Sequence, residues 1–185
     1  MQLQHIPHNM RLFLAIDLPK EIKDYVFELE KKIKEAKITW VSKKNLHLTL
    51  KFLGEIKEKN IPELKKQLQI IHPKLKLKIS TMGFFPNNKD PKVIWLGLEP
   101  EEEVISLQQK IDGELLTQFP SEQKFQAHLT LGRIKSIRRK EDFFQSVKSI
   151  QLEQKEFEVI SFQLMKSELT KLGPIYEILE NIPLS

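Results

Sequence analysis

The tetrapeptide His-Leu-Thr-Leu occurs twice, at His47–Leu50 and at His128–Leu131, in a chain of 185 residues that has five histidines. The copies stand 81 positions apart, and the same step carries a succession of elements onto counterparts. The short apolar stretch from Arg11 to Pro19, which reads as a buried strand, lands on "KVIWLGLE" from Lys92. The helically spaced Ile22, Val26, Leu29 and Ile33 land on "EEEVISLQQKIDGELL". Asn60, placed to cap a helix through Ile61, Leu64, Leu68 and Ile71, lands on Glu141, beside a helix carrying Phe143, Phe144 and Val147. The alternating strand "LKLKISTMGFF" lands on "EFEVISFQLM". Chance aligns one or two such elements, whereas five in register indicate a duplicated unit, roughly residues 11–85 and 92–166, followed by one further strand in "GPIYEILENI".

The amphipathic strands favour antiparallel or mixed sheets with helices on one side over a doubly wound parallel sheet. The expected fold is α+β: one bilobal domain over residues 10–185, with two lobes related by a pseudo-twofold axis. Each lobe is expected to hold a sheet with its helices on the outer side, leaving a central groove between lobes as the natural place for a site. The opening "MQLQHIPHN", residues 1–9, has no periodicity and is expected to be a loose extension, with Met10 as an alternative start.

Successive side chains on a strand point to opposite faces, so His47 and Thr49 share one face and Leu48 and Leu50 the other. The same holds for His128 and Thr130. A pseudo-twofold then brings two imidazoles and two hydroxyls to one groove. Histidine gives or takes a proton near neutral pH, and in-line displacement at a phosphodiester needs a base and an acid on opposite sides of phosphorus. The threonine hydroxyls suit the non-bridging oxygens, where charge builds up. A lone histidine on a strand is ordinarily a surface or satisfied residue; two identical frames in an internal repeat reverse that expectation. His5, His8 and His72 have no such support and read as surface residues.

Composition narrows the alternatives. The chain has no cysteine, which excludes disulfides, thiolate metal sites and cysteine nucleophiles and fits a reducing cytoplasm. A formal net charge of +5 suits a polyanionic partner such as nucleic acid. No apolar run approaches the roughly 20 residues of a membrane span. Neither histidine has a carboxylate or further histidine at ligand spacing, so no metal is expected, and phosphate-binding loops, nucleophile elbows and dinucleotide fingerprints are all missing.

The stretches "MRLFLAIDLP", "WVSKKNLHLTLKFLGEI", "VIWLGL", "AHLTLGR" and "LMKSELTKLGPIYEIL" together resemble the two-histidine phosphoesterases. Within them, the chain is most similar to the bacterial and archaeal RNA 2',3'-cyclic phosphodiesterases, also called 2'-5' RNA ligases. The resemblance implies a metal-independent, cofactor-free enzyme that opens a terminal 2',3'-cyclic phosphate on RNA to a 2'-phosphate and can join tRNA halves through a 2'-5' linkage. It makes His47 and His128 the acid–base pair and Thr49 and Thr130 the phosphate binders. We take His47 as proton donor and His128 as acceptor. Arg133 is the best further contact to phosphate or base. Lys51 is expected on the face of His47 and Thr49, flanking the groove, and Phe13 and Tyr176 beside the nucleobase. The basic run "RIKSIRRK" is a candidate backbone track. The chain is expected to act as a monomer on RNA, with no obligate protein partner. Rival readings are a binding module without turnover and a phosphodiesterase for a small cyclic nucleotide.

Overall fold

A computed structural model describes residues 9–121, 124–171 and 173–185. Strand β1 (Asn9–Asp17) ends at Pro19, which opens α1 (Lys20–Glu30). The helix buries Ile22, Val26 and Leu29 along one stripe. A short strand, β2 (Ala36–Trp40), and a 3-10 turn over Lys43–Asn45 lead into β3 (His47–Lys57). Helix α2 (Ile61–Gln67) and β4 (Leu75–Phe85) complete the first repeat. The second runs through β5 (Val93–Glu99), α3 (Glu101–Leu115), β6 (His128–Ile137), α4 (Lys140–Lys148), β7 (Glu156–Val159) and β8 (Ser161–Thr170), and β9 (Gly173–Pro183) closes the chain. Three glutamates fill the first turn of α3, where they complement the partial positive charge of a helix N-terminus. Leu12, Leu14, Ile16, Leu48, Leu50, Leu129 and Leu131 form the sheet side of the core beneath these helices.

The architecture is the expected α+β fold. All pairings are antiparallel, and the strand order is β7-β4-β5-β6-β3-β1-β8-β9, with β2 added to β6. The two halves of this curled sheet meet where β3 and β6 pair at one registered position, Leu48 opposite Leu129. Each half contains strands of both repeats. The last strand of the first repeat, β4, pairs with β5, and β8 of the second pairs with β1.

Several details differ from the sequence reading. Residues 1–8 of the expected extension lie outside the described residues, while Asn9 already belongs to β1. Strand β2 was not anticipated, because "AKITW" is short and one residue in two is exposed. Asn60 makes no side-chain cap and α2 ends at Gln67, leaving Ile71 83% exposed. The segment read as one strand from Glu156 breaks at Ile160, so that β7 pairs with β4 and β8 with β1. The single step of 81 also fails on the first strand. Asp17 lies opposite His47 and Gly97 opposite His128, a step of 80. On a strand, one residue decides which face a side chain takes.

Candidate active site

His47 and His128 open β3 and β6, on either side of the Leu48–Leu129 pair. In antiparallel strands, residues flanking a registered pair meet crosswise, so His47 neighbours Thr130 and Thr49 neighbours His128. Leu48, Leu50, Leu129 and Leu131 are buried beneath, which holds the histidines and threonines on the other face. Each imidazole is oriented identically. The Nδ1–H of His47 donates to the Asn45 carbonyl at 2.7 Å, and that of His128 to the Gln126 carbonyl at 2.8 Å. An Nδ1 committed to a carbonyl must carry its proton, so Nε2 is left as the nitrogen that can accept or give one.

The two Nε2 atoms have different company. That of His47 lies 3.0 Å from Thr49 Oγ1, the hydroxyl donating when the ring is neutral. That of His128 has no protein partner among the described residues. Burial pushes the pKa of His47 below its ordinary value, partly offset by the Asn45 carbonyl and the Asp17 carboxylate, while Lys23 and His128 push it further down.

Each ring is packed between two aromatics. His47 lies 5.1 Å from Phe13 and 5.3 Å from Tyr176, which meets it edge-on. His128 lies 4.9 Å from Phe85, also edge-on, and 6.3 Å from Trp95. Trp95 stacks on Phe85 and needs Gly83 beneath it, where a Cβ would come within 2.3 Å of the indole. Such pairs bury the ring faces and limit rotation, leaving Nε2 as the accessible atom.

A β-bulge in each His strand reverses the alternation just past the threonine. Opposite β1, Thr49 pairs with Ala15 but Lys51 with Leu14, so Leu50 and Lys51 both turn to the core side. Lys51 is therefore not at the groove. It is 3% exposed, and its Nζ lies 2.5 Å from Asp112 Oδ1 and 2.7 Å from the Pro120 carbonyl. Asp112 is itself buried and also accepts from Gln108 Nε2 at 2.8 Å. Opposite β5 the same bulge falls after Thr130, and it returns Arg133 to the groove face. There Arg133 is exposed, and it and Arg11 act electrostatically on Tyr176, whose phenol burial pushes up.

Phe13 does not present a ring to a base. At 3% exposure it is the floor under His47, Tyr176 and Phe52, because Ala15 and Met165 pack around it. The aromatic open to a ligand is Phe52, 68% exposed, brought to the groove face opposite Phe13 by the bulge. Strict period-two reading places it in the core, which is why sequence reasoning missed it. The Ser80–Thr81 bulge was missed for the same reason. A Cβ on Gly97 would come within 2.5 Å of Thr81 Oγ1, so hydroxyls fill the space beside His128 that a side chain would take. The basic run is less available than it reads: Arg138 and Arg139 both bind Glu35, at 3.1 and 3.0 Å.

A model of the LigT-like phosphoesterases matches the chain twice, over residues 16–95 and 96–176. The chain belongs to the LigT-like phosphoesterase family. An RNA 2',3'-cyclic phosphodiesterase of Methanocaldococcus jannaschii is 38% identical over 92% of this chain and 99% of its own. One of Thermotoga maritima is 35% identical, over 92% and 93%. Among solved structures, a Thermus thermophilus protein superposes with a TM-score of 0.77 at 27% identity, covering 94% of this chain and 97% of that one. The Escherichia coli LigT complexed with phosphate superposes with 0.74 at 26% identity, covering 96% and 99%.

The two matches fall on the two halves of the chain, and each contains one of the histidine strands, β3 and β6. Among the described residues, no group of three or more His, Cys, Asp or Glu could hold a metal ion, and no helix is long and apolar enough to cross a membrane.

Proposed function

We propose that this chain is an RNA 2',3'-cyclic phosphodiesterase that acts as a cytoplasmic monomer without a metal, opening the terminal cyclic phosphate to a 2'-phosphate. The observation that carries this is the matched pair of imidazoles. Each is locked through Nδ1 to a carbonyl, and each offers Nε2 to one groove. Water attacks phosphorus in line with O3'. His128 Nε2 takes a proton from the water as the new P–O bond forms. The P–O3' bond breaks, and His47 Nε2–H gives its proton to O3'. Thr49 and Thr130 donate hydrogen bonds to the non-bridging oxygens as charge accumulates on them.

The surroundings of the rings support this order. His128 Nε2 is uncommitted, as a base needs, and the residue across the sheet from it is Gly97. The residue across from His47 is Asp17, a carboxylate that favours the imidazolium. Burial works against that charge in the free protein, and an anionic cyclic phosphate at the site restores it. Arg133 extends the cationic side of the groove, and Phe52 offers a face on which a base can stack. A ribose 5'-hydroxyl in place of water gives a 2'-5' diester by the same proton transfers, which is the ligation of tRNA halves.

The deciding experiment offers the purified protein an RNA ending in a 2',3'-cyclic phosphate, with EDTA present, and identifies the product by chromatography. A 2'-phosphate end is expected. A 3'-phosphate end would reverse the leaving oxygen, and the absence of any product would leave a binding module.

A further inference from the structure

Asn45 is a buried amide beside the paired histidines, at 8% exposure, and its backbone carbonyl and side-chain amide make contacts in different directions. Its carbonyl receives the His47 Nδ1–H at 2.7 Å. Its side-chain Nδ2 donates to the Pro174 carbonyl at 2.8 Å, across 129 positions of sequence. Pro174 stands at the start of β9, in the hairpin that β8 and β9 form. Two residues on, Tyr176 projects back onto His47, edge-on at 87°. A closed circuit results: Asn45 holds the hairpin, the hairpin carries Tyr176, and Tyr176 with Phe13 covers the ring that Asn45 orients.

The other repeat lacks this circuit. Gln126 stands in the position equivalent to Asn45, and its carbonyl holds His128 Nδ1 in the same way. Its side chain has no hydrogen-bond partner among the described residues, and His128 is covered by Phe85 and Trp95 of its own half-sheet.

We infer that Asn45 is a positioning residue that fastens the β8–β9 hairpin over His47, so that this histidine is kept fixed and dry by a hairpin distant in sequence, whereas His128 takes its cover from its own half-sheet. This rests on the phosphodiesterase reading for its meaning in turnover, but the structural effect on His47 does not. The groups facing His47 are Asp17 of β1, Lys23 of α1, His128 of β6 and Tyr176 of β9. Asp17 and Lys23 bind each other at 2.6 Å, independently of Asn45. Releasing the hairpin therefore changes the solvation of His47 and leaves its charged neighbours in place.

The test follows the His47 and His128 ring signals by NMR across pH in the substrate-free protein, for wild type, Asn45→Ala, Gln126→Ala and Tyr176→Ala. In Asn45→Ala the His47 pKa is expected to rise by about 0.5 or more toward the ordinary value of about 6.5, with that of His128 unmoved. Gln126→Ala is expected to move neither. Tyr176→Ala removes the cover without touching the amide and reproduces the His47 shift, which keeps the inference testable if Asn45→Ala does not fold. The rate of Asn45→Ala on cyclic-phosphate RNA falls about 10- to 100-fold, mostly in kcat. A folded Asn45→Ala whose His47 titration matches wild type overturns the inference, whatever happens to its melting temperature. If wild type turns over no cyclic phosphate, the functional reading fails while the titration result still stands.

Discussion

In the first repeat, Lys51 follows the bulge after Thr49 and sends its ammonium to the Pro120 carbonyl; in the second, Gly132 follows the bulge after Thr130 and leaves room for the Thr39 carbonyl. These are the same two places in the repeat, solved differently. A Cβ on Gly132 would come within 3.0 Å of that carbonyl and 2.6 Å of Ile38, because β2 pairs directly against β6. At the matching place β3 pairs with β1 alone, and no strand flanks its other side among the described residues. The segment through Pro120 is held instead by a buried lysine, whose charge Asp112 balances. A duplicated unit thus kept its histidine and threonine but diverged in how the strand behind them is anchored. Neighbouring strand geometry decides between glycine and lysine, and sequence similarity between the repeats does not.

The histidines should break this asymmetry if they work as one acid–base pair. His47→Ala and His128→Ala are each expected to lower the turnover of cyclic-phosphate RNA by about 10³-fold, the middle of the range that a positioned acid or base contributes, with unchanged circular dichroism. Near-wild-type turnover in either variant would separate the two repeats in function. The anchors should sharpen the asymmetry. Lys51→Ala removes the ion-pair partner of the buried Asp112 carboxylate and is expected to cost about 3–5 kcal/mol in urea unfolding, whereas Lys51→Met with Asp112→Leu recovers most of it. Gly132→Ala overpacks against β2 and is expected to cost less, about 1–3 kcal/mol. A larger loss at Gly132 than at Lys51 would mean that the lysine is not the main tether.

The smallest expected effect concerns pH. Burial lowers the pKa of folded His47 below its unfolded value, so the unfolded chain binds that proton more readily. This contribution to stability is present above the unfolded pKa of about 6.5 and is lost as pH falls through the lower folded value. Replacing His47 with Gln, which cannot charge, is expected to flatten the melting temperature of the protein between about pH 7 and 5 relative to wild type. An unaltered slope would place the titration elsewhere. Glu30 adds a counter-trend in the same scan. Burial raises its carboxyl to about 7, with no hydrogen-bond partner for one oxygen among the described residues, so its contribution declines as pH rises toward that value.

Much of the site was legible because it is local. A His-x-Thr frame on a strand needs only the two-residue alternation of side chains to put its polar atoms together, and the duplication needs only a repeat distance. Trp95 and Phe85 stayed unread because they meet His128 only through cross-strand pairing. Phe52, Lys51 and Arg133 lie beyond bulges, where one extra residue exchanges the faces, and nothing in "TLKFLGE" or "TLGR" marks the extra residue. Arg133 was placed in the groove on resemblance, and the bulge is the physical reason that it faces there.

From sequence alone came the α+β class, the duplication, the paired His-x-Thr frames and the chemistry that two imidazoles and two hydroxyls can perform. Each follows from periodicity and functional-group chemistry within a few residues. Tertiary structure decided which strands share a half-sheet, which face each residue past Thr49 and Thr130 takes, and what covers each histidine. Those outcomes depend on pairing register, bulges and contacts such as Asn45 with Pro174, 129 positions apart, which no local pattern encodes.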